Sequence, residues 1–531
     1  MAFQVSPGVL VKEIDLTNIV PAVSTSIGAM AGNFSKGPVG VVTAISSEQE
    51  LAANFGTPDS DNFETWFTAA NFLQYGNALR VVRAEMAGMK NAAVGTAVLI
   101  KNDEDYEDNY FNNGSGSASQ GEWVAKSPGL EGNSLGVSVC ASATGFEETI
   151  TTGAGEVSGT PAAGATTVNV SAGGGSAGAG GAKYNVGDIV HFQEADGTEY
   201  EITNITNDAL TIRQLDNPNG GGLKSALADG TNVRRRWKFY DQVDAAPGTS
   251  TFGASKNVTN DEVHVVVYDT TGLISGSKYG TAGGRTGSVL EIFSFVSQAS
   301  DARTAQGGTN YYVNVVNNGS QYVRWTDHDA SLTDAGESTT TAIANSSSTY
   351  ASGTGKAGII TSVLDGGVQT TNSPAKPSVG ELDTAYQFFA DSATVDINLV
   401  MAGECPTGGS NGTAHATNVI DLCEARKDCV AFISPRREDV VSVTSAITQT
   451  SNVKAFFDGL SSSSYAVFDS GYKYIYDRYN DVFRYVPLNG DIAGVCANTD
   501  QVADAWFSPA GLNRGQIRGA VKLAFNPNKA Q

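Results

Sequence analysis

Residues 71–84 read Asn-Phe-Leu-Gln-Tyr-Gly-Asn-Ala-Leu-Arg-Val-Val-Arg-Ala, the end of a helix followed by a strand. The helix starts upstream, because Phe63, Trp66, Phe67, Ala70 and Leu73 recur at helical spacing over 62–73 and form one apolar face. The strand is the apolar run 79–84. Working outward, 24–33 reads as a buried strand and Lys36-Gly37-Pro38 as a turn. A short helix over 47–55 is opened by Ser46/Ser47, with Glu50 spaced as a capping-box partner of Ser47.

The same alternation returns after Ser378. Helices are expected over 381–389, 416–427, 440–449 and 453–460, and strands over 396–401, 430–433, 465–468 and 472–476, the last alternating Tyr472, Tyr474 and Tyr476. Strands alternating with helices predict a partly parallel sheet. Between the two halves, 91–374 is rich in Gly, Ser, Thr and Ala, with strands expected at 135–139, 188–194, 199–206, 263–268 and 311–316. The expected fold class is α/β plus all-β and multi-domain. It has a discontinuous α/β core domain (23–90 and 375–505) into which one or more β-rich outer domains (91–374) are inserted. An extended N-terminal arm (1–22) precedes it and a last segment (506–531) follows. Such an insertion should enter and leave through neighbouring connections near Met89 and Lys376. The acidic run 103–108, the Gly-rich run 171–181 and the Ser/Thr/Ala-rich run 338–355 read as loops or linkers.

The length of 531 residues exceeds what one core usually holds. With 40% apolar and only 17% charged residues the composition is globular, and 61 glycines imply many turns. The balance of 33 basic against 55 acidic residues gives −22, which repels a polyanion and excludes nucleic acid as the main partner. The same charge suits a chain kept soluble until a geometric cue triggers assembly. Five scattered cysteines (140, 405, 423, 429 and 496) form no CxxC pair, so neither a disulfide framework nor a zinc site is expected. The start lacks the charged and apolar regions of a signal peptide, and no apolar run approaches the roughly 18 residues of a membrane helix.

Motifs of catalysis are also missing, so no enzyme, cofactor or metal is implied. His191, His264, His328 and His415 have no HExxH partner. An EF-hand starting at Asp103 would need Gly and Glu where Asp108 and Gly114 stand. The glycines at 173–181 are not followed by Lys-Ser/Thr as a phosphate loop requires. Arg234-Arg235-Arg236-Trp237-Lys238, a basic island, reads as a salt-bridged strand or a subunit contact.

Two segments point instead to assembly. In the arm, Pro7-Gly8 forbids a helix, and alternation around Val5, Val9, Leu10, Val11 and Lys12 reads as an extended strand lacking an obvious partner in its own chain. Such a strand invites pairing with a neighbouring chain. From 505 to 531 there are four basic residues and no acidic ones. A helix from about Gly511 would align Arg514, Arg518 and Lys522 as a basic stripe, a contact for a tube or a neighbour, beside a second stripe of Ile517, Val521, Ala524 and Phe525 and a third of Gly511, Gly515 and Gly519.

Several of these stretches resemble the tail sheath proteins of contractile-tailed phages. They are Ser6-Pro7-Gly8-Val9 with Lys12-Glu13, Gly32-Asn33-Phe34 with Gly37-Pro38, Phe55-Gly56-Thr57-Pro58, and the run 71–84. Near the other end come 472–491 and 493–500, then Trp506-Phe507-Ser508-Pro509-Ala510-Gly511 leading into Asn513-Arg514-Gly515-Gln516-Ile517. The match covers both ends, about half the chain, and not the middle. The resemblance implies a structural subunit that stacks as hexameric rings around a tail tube protein, with the baseplate and tail terminator as further partners. Contraction would drive the tube through the host envelope for genome ejection. It also implies a virion location after assembly in the host bacterial cytoplasm, and an arm that links neighbouring subunits. Nucleic acid and membrane insertion have no part in it. The family's chains continue into a tube-proximal C-terminal domain, of which 506–531 would be the start. The alternative suggested by the Gly/Ser/Thr-rich middle is a β-rich adhesin or carbohydrate-binding surface protein.

Overall fold

A computed structural model of the chain describes residues 26–111, 119–217, 220–276, 288–327, 358–512 and 514–528. The arm, His328 and the run 338–355 lie outside the described residues. The chain divides into two compact units. The first takes residues up to Phe34, Gly40–Ala84 and those from Pro377 onward; the second takes Ser35–Val39 and Glu85–Lys376.

The first unit is built on a six-stranded sheet. Its elements are β1 (Gly28–Gly32), β2 (Thr43–Ile45), α1 (Glu48–Phe55), α2 (Phe63–Leu73) and β3 (Leu79–Arg83), then α3 (Val379–Gln387), β4 (Leu399–Met401), α4 (Asn411–Arg426), β5 (Val430–Ile433), α5 (Ala446–Asp458) and β6 (Ala466–Phe468). The strand order is β6-β5-β4-β1-β3-β2. The first five strands are parallel and β2 runs antiparallel at the edge. Side chains alternate between the faces. Ala29, Ala31, Val82, Val400, Ala431 and Ile433 enter one core with Tyr386, Val419 and Phe456. Met30, Leu79, Val81, Met401 and Phe432 enter another with Trp66, Phe72 and Ala493. Both faces are covered, so these strands read as near-continuous apolar runs rather than alternating ones.

A hairpin and a long helix follow: β7 (Tyr472–Asp477), β8 (Val482–Pro487) and α6 (Asn489–Val502), with a two-residue strand β9 (Lys522–Leu523) added in the order β8-β7-β9. Sequence reasoning missed β8 and α6. Gly490 and Gly494 weaken the helical signal of α6. They are there for packing against α2, because a Cβ at Gly490 would lie 2.3 Å from the Thr68 carbonyl oxygen and one at Gly494 would lie 2.6 Å from the Tyr75 ring.

The capping box of α1 is displaced by one residue. Ser47 Oγ accepts from the Glu50 N–H at 3.2 Å, but the Glu50 carboxylate reaches back to the Ser46 N–H at 2.8 Å. The two helices expected at 440–460 are replaced by a single turn at Arg437–Val440 and the continuous α5.

The second unit is β-rich, with two sheets and separate cores. One sheet has the antiparallel order Ser288–Ser297, Glu262–Asp269, Leu135–Cys140, Ile359–Val363. Its core gathers Val137, Val139, Val265, Val267, Val313 and Val316. The last two lie on a helix, Tyr312–Gly319, where a strand was expected over 311–316. Its β-branched residues mimic a strand, yet Tyr312, Val313 and Val316 share one buried helical face, and that burial decides. The second sheet has seven strands and curls round. The Val157 N–H donates to Thr231 O at 3.0 Å and the Gly230 N–H to Val157 O at 2.9 Å, tying the strand Ala154–Val157 to the residues leading into Val233–Arg236. Val168, Val190, Tyr200, Ile202, Leu210 and Ile212 are buried together in its core. Where the second unit begins and ends, the Thr371 N–H donates to Ala87 O at 2.8 Å, and Lys90 pairs with Val368.

Two loop readings are corrected. Asp103–Tyr106 is a helical turn whose Asn102 side chain caps the Asp105 N–H. The Gly-rich run is ordered, because the N–H groups of Gly178, Gly180 and Gly181 converge on the Asp208 carboxylate at 2.8–3.1 Å. Those donors hold Asp208 below the usual carboxylate pKa. The glycines thus cradle an anion, but it is the chain's own.

Candidate assembly surface

In a parallel α/β sheet, ligands usually meet the carboxyl ends of the strands. Here Ser434 follows β5, Gly403 follows β4 and Asp469 follows β6. Asn489, at the start of α6, binds the first two: its Nδ2 donates to Gly403 O at 2.7 Å and to Ser434 Oγ at 3.0 Å, and its own N–H donates to Ser434 Oγ at 3.1 Å. Ser434 Oγ in turn donates to the Asp469 carboxylate at 2.7 Å. These polar groups spend their hydrogen bonds on one another and pin α6 to the sheet.

Removal from water pushes the Asp469 carboxyl up to about 7, with Asp491 adding to the effect and the Ser434 and Gly471 bonds opposing it. A raised folded-state value means that the folded form holds the proton more tightly. Its stabilising contribution is complete below about pH 4 and is lost as pH rises through about 7. Asp469→Asn should therefore gain stability relative to the natural chain across that window and run parallel to it above pH 8. Denaturant midpoints measured at one-unit pH steps check this.

The other titratable candidates are structural as well. His415 is buried with Nε2 2.9 Å from Ala402 O, and burial lowers its pKa. His264 is held between Ala245 O and the Phe295 N–H. His191 lies in the short strand Ile189–His191. Cys140, Cys405, Cys423 and Cys429 are buried free thiols. The basic island is a salt-bridged strand: Arg234 pairs with Glu147, Arg235 with Glu148, and Arg236 with Glu199. Among the described residues, no group of three or more His, Cys, Asp or Glu side chains is placed to hold a metal, and no helix is long and apolar enough to cross a membrane.

The segment carrying Arg514, Arg518 and Lys522 is not a helix. Gly511 and Gly519 have φ of +137° and +67°, which a right-handed helix excludes and which glycine tolerates. The chain instead forms a strap across the first unit, and the structure does not bring the three basic residues into one stripe. The Arg514 guanidinium lies 4.6 Å from the Phe507 ring, Arg518 lies 4.6 Å from the Tyr75 ring, and Lys522 lies 5.0 Å from Tyr474.

Beneath the strap is a buried ion pair that sequence reasoning did not single out. Lys473 Nζ donates to Asp491 Oδ1 and to Arg518 O, both at 2.9 Å. Tyr75 accepts from the Arg518 N–H at 2.6 Å, and its hydroxyl also lies 3.2 Å from both Asp491 Oδ1 and Gln516 O. Burial lowers the Lys473 pKa and raises that of Asp491, each opposed by its partner. The available signal was Lys473 between alternating tyrosines, a charge on a strand position that otherwise reads as apolar. Around the strap, Trp506 and Leu512 are 78% and 89% exposed, and Val502 and Val521 are exposed with them. Large apolar side chains shown to water are the kind that contact surfaces use.

A layered α/β unit and a β-rich unit, with an apolar, basic strap at the surface of the first, make a multi-domain α/β plus β protein. Residues 25–84 match the family profile described as the Tail sheath protein Gp18 domain III N-terminal region. The tail sheath protein of Enterobacteria phage T4 is 30% identical over 580 aligned residues, covering 99% of this chain and 77% of that protein. Those of Vibrio phage KVP40 and Salmonella phage ViI are 28% and 26% identical, with 78% and 75% of their lengths covered. The solved sheath tail proteins of Listeria innocua and Desulfitobacterium hafniense are each 8% identical, with TM-scores of 0.38 and 0.35. In both cases 95% of this chain is covered, against 62% and 65% of those chains. The chain belongs to the tail sheath protein family of contractile-tailed bacteriophages.

Proposed function

We propose that this chain is a non-enzymatic subunit that polymerises as stacked hexameric rings around a phage tail tube, and that contraction of the assembled sheath drives the tube through the host envelope for genome ejection. Its partners are further copies of itself, the tail tube protein, the baseplate and the tail terminator. It assembles in the host cytoplasm and ends in the virion. The α/β unit serves as the ring-to-ring scaffold, the β-rich unit is the outward-facing insertion, and the arm (Val5 and Pro7–Lys12) joins neighbouring subunits. The observation carrying this reading is family membership along nearly the whole chain. The exposed apolar strap supports it, as does a sheet end whose polar groups are engaged with one another. Mechanically, such a sheath needs two packings of the same rigid subunits, with the contracted lattice lower in free energy and a barrier between the two.

The basic residues of the strap belong to the proposed contact with the tube or a neighbour. Arg514→Glu, Arg518→Glu and Lys522→Glu together should slow or block assembly on purified tubes. In natural sheath, salt should weaken assembly in the same direction, since exposed charges are screened within about 8–10 Å. Assembly at equal rates by both proteins would remove these residues from the contact.

A further inference from the structure

We propose that residues 514–525 are a latch: a strap that lifts from the first unit and re-docks as one piece while the layers beneath it stay folded. Its grip is small and local. Side chains of the body seize the strap's backbone: Tyr75 takes the Arg518 N–H, Lys473 holds Arg518 O, and Gln449 Nε2 donates to Ala524 O at 3.0 Å. Only two strap residues form β9, where the Val521 and Ala524 N–H groups donate to Tyr474 O and Tyr472 O at 2.9 and 2.7 Å. One strap side chain, Phe525, is buried among the described residues, packed with Val440, Val441 and Tyr472. None of the strap's residues enters either large core of the unit. A segment with one apolar anchor and a handful of bonds opens at far lower free energy than the layers it crosses. By contrast α6, jammed against α2 through Gly490 and Gly494, cannot separate without breaking the core.

The grip reads mostly backbone atoms, joined by Arg518, which donates to Gln74 O and lies over the Tyr75 ring, and by Lys522 near Tyr474. The dock therefore accepts the strap by its extended shape, two basic side chains and one aromatic one. The strap also displays Val521, so lifting it re-aims an exposed apolar side chain. The inference does not rest on the ring-and-tube reading. It would hold equally for a chain that never met a tube.

The test uses the full chain with Tyr75→Phe and Phe525→Ala, separately and together. Tyr75→Phe keeps the Lys473–Asp491 pair but also removes a hydroxyl that donates to Asp491 Oδ1 at 3.2 Å. Phe525→Ala, whose buried neighbours are Val440, Val441 and Tyr472, is the variant that leaves the pair intact. Trypsin cleavage after Arg514, Arg518 and Lys522 should accelerate about tenfold for each lost anchor, and the Val521 and Ala524 amides should exchange faster together. In Phe525→Ala the denaturant midpoint of the body and its aromatic circular dichroism should stay unchanged, and in Tyr75→Phe cleavage should accelerate by more than the midpoint shift accounts for. Unchanged cleavage in the double variant would overturn the latch. So would cleavage that accelerates only in step with global unfolding, because the strap would then be part of the cooperative core.

Discussion

Replacing Lys473 by Met should lower the unfolding free energy of the first unit by about 3–5 kcal/mol, among the largest single-residue losses expected in this chain. Lys473 and Asp491 are both fully buried, 2.9 Å apart. Removing the ammonium leaves a carboxylate in the interior with the Tyr75 hydroxyl beside it at 3.2 Å. The second oxygen of Asp491 is already buried with no hydrogen-bond partner. The pair itself adds little net stability, because its attraction is offset by the desolvation of both charges. Lys473→Met with Asp491→Leu should therefore recover most of what Lys473→Met loses, whereas Asp491→Leu alone should cost as much as Lys473→Met. Urea denaturation of the four proteins forms the double-mutant cycle. Two single losses that simply add in the double variant would show that the pair is not coupled.

Deleting residues 1–16 should abolish polymerisation, a loss of at least about a hundredfold in the sedimentable fraction, while the denaturant midpoint stays within error of the natural chain. Pro7-Gly8 keeps this arm from becoming a helix, and the alternation of Val9 and Val11 with Leu10 and Lys12 suits an extended strand. A strand that finds no partner in its own sheet offers a row of backbone donors and acceptors to a neighbour. Under the proposed assembly each chain gives one arm and receives one, so deletion removes one contact per subunit, each shared by two chains, and the effect multiplies along the lattice. Polymers of natural length from the deleted chain would assign the arm to its own fold.

Much of the α/β unit was legible because its elements obey local rules. The five-residue apolar face of α2, the buried run of β3 and the apolar β5 all follow from spacing and apolar content. What was illegible is what tertiary packing decides against local preference. The helix Tyr312–Gly319 carries strand-forming residues but buries a helical face. α6 contains two glycines that only its tight approach to α2 explains. In the last segment the four-residue spacing of Arg514, Arg518 and Lys522 suggested a helix, but Gly511 and Gly519 turn the backbone where a helix would have continued. The Gly-rich run hid an ordered cradle because its partner, Asp208, stands 27 residues beyond Gly181. The candidate surface was part legible: its basic residues were marked, but Trp506, Tyr75, Lys473 and Asp491 were not singled out, since nothing local says that two opposite charges 18 residues apart are buried together.

Formation of a sheath around a tube is visible by electron microscopy of the full-length protein mixed with purified tail tubes. The expected result is tubes coated end to end by stacked six-fold rings, with a shorter and wider form after triggering. Bare tubes among monodisperse particles, at protein concentrations where a sheath of the family assembles, would contradict it.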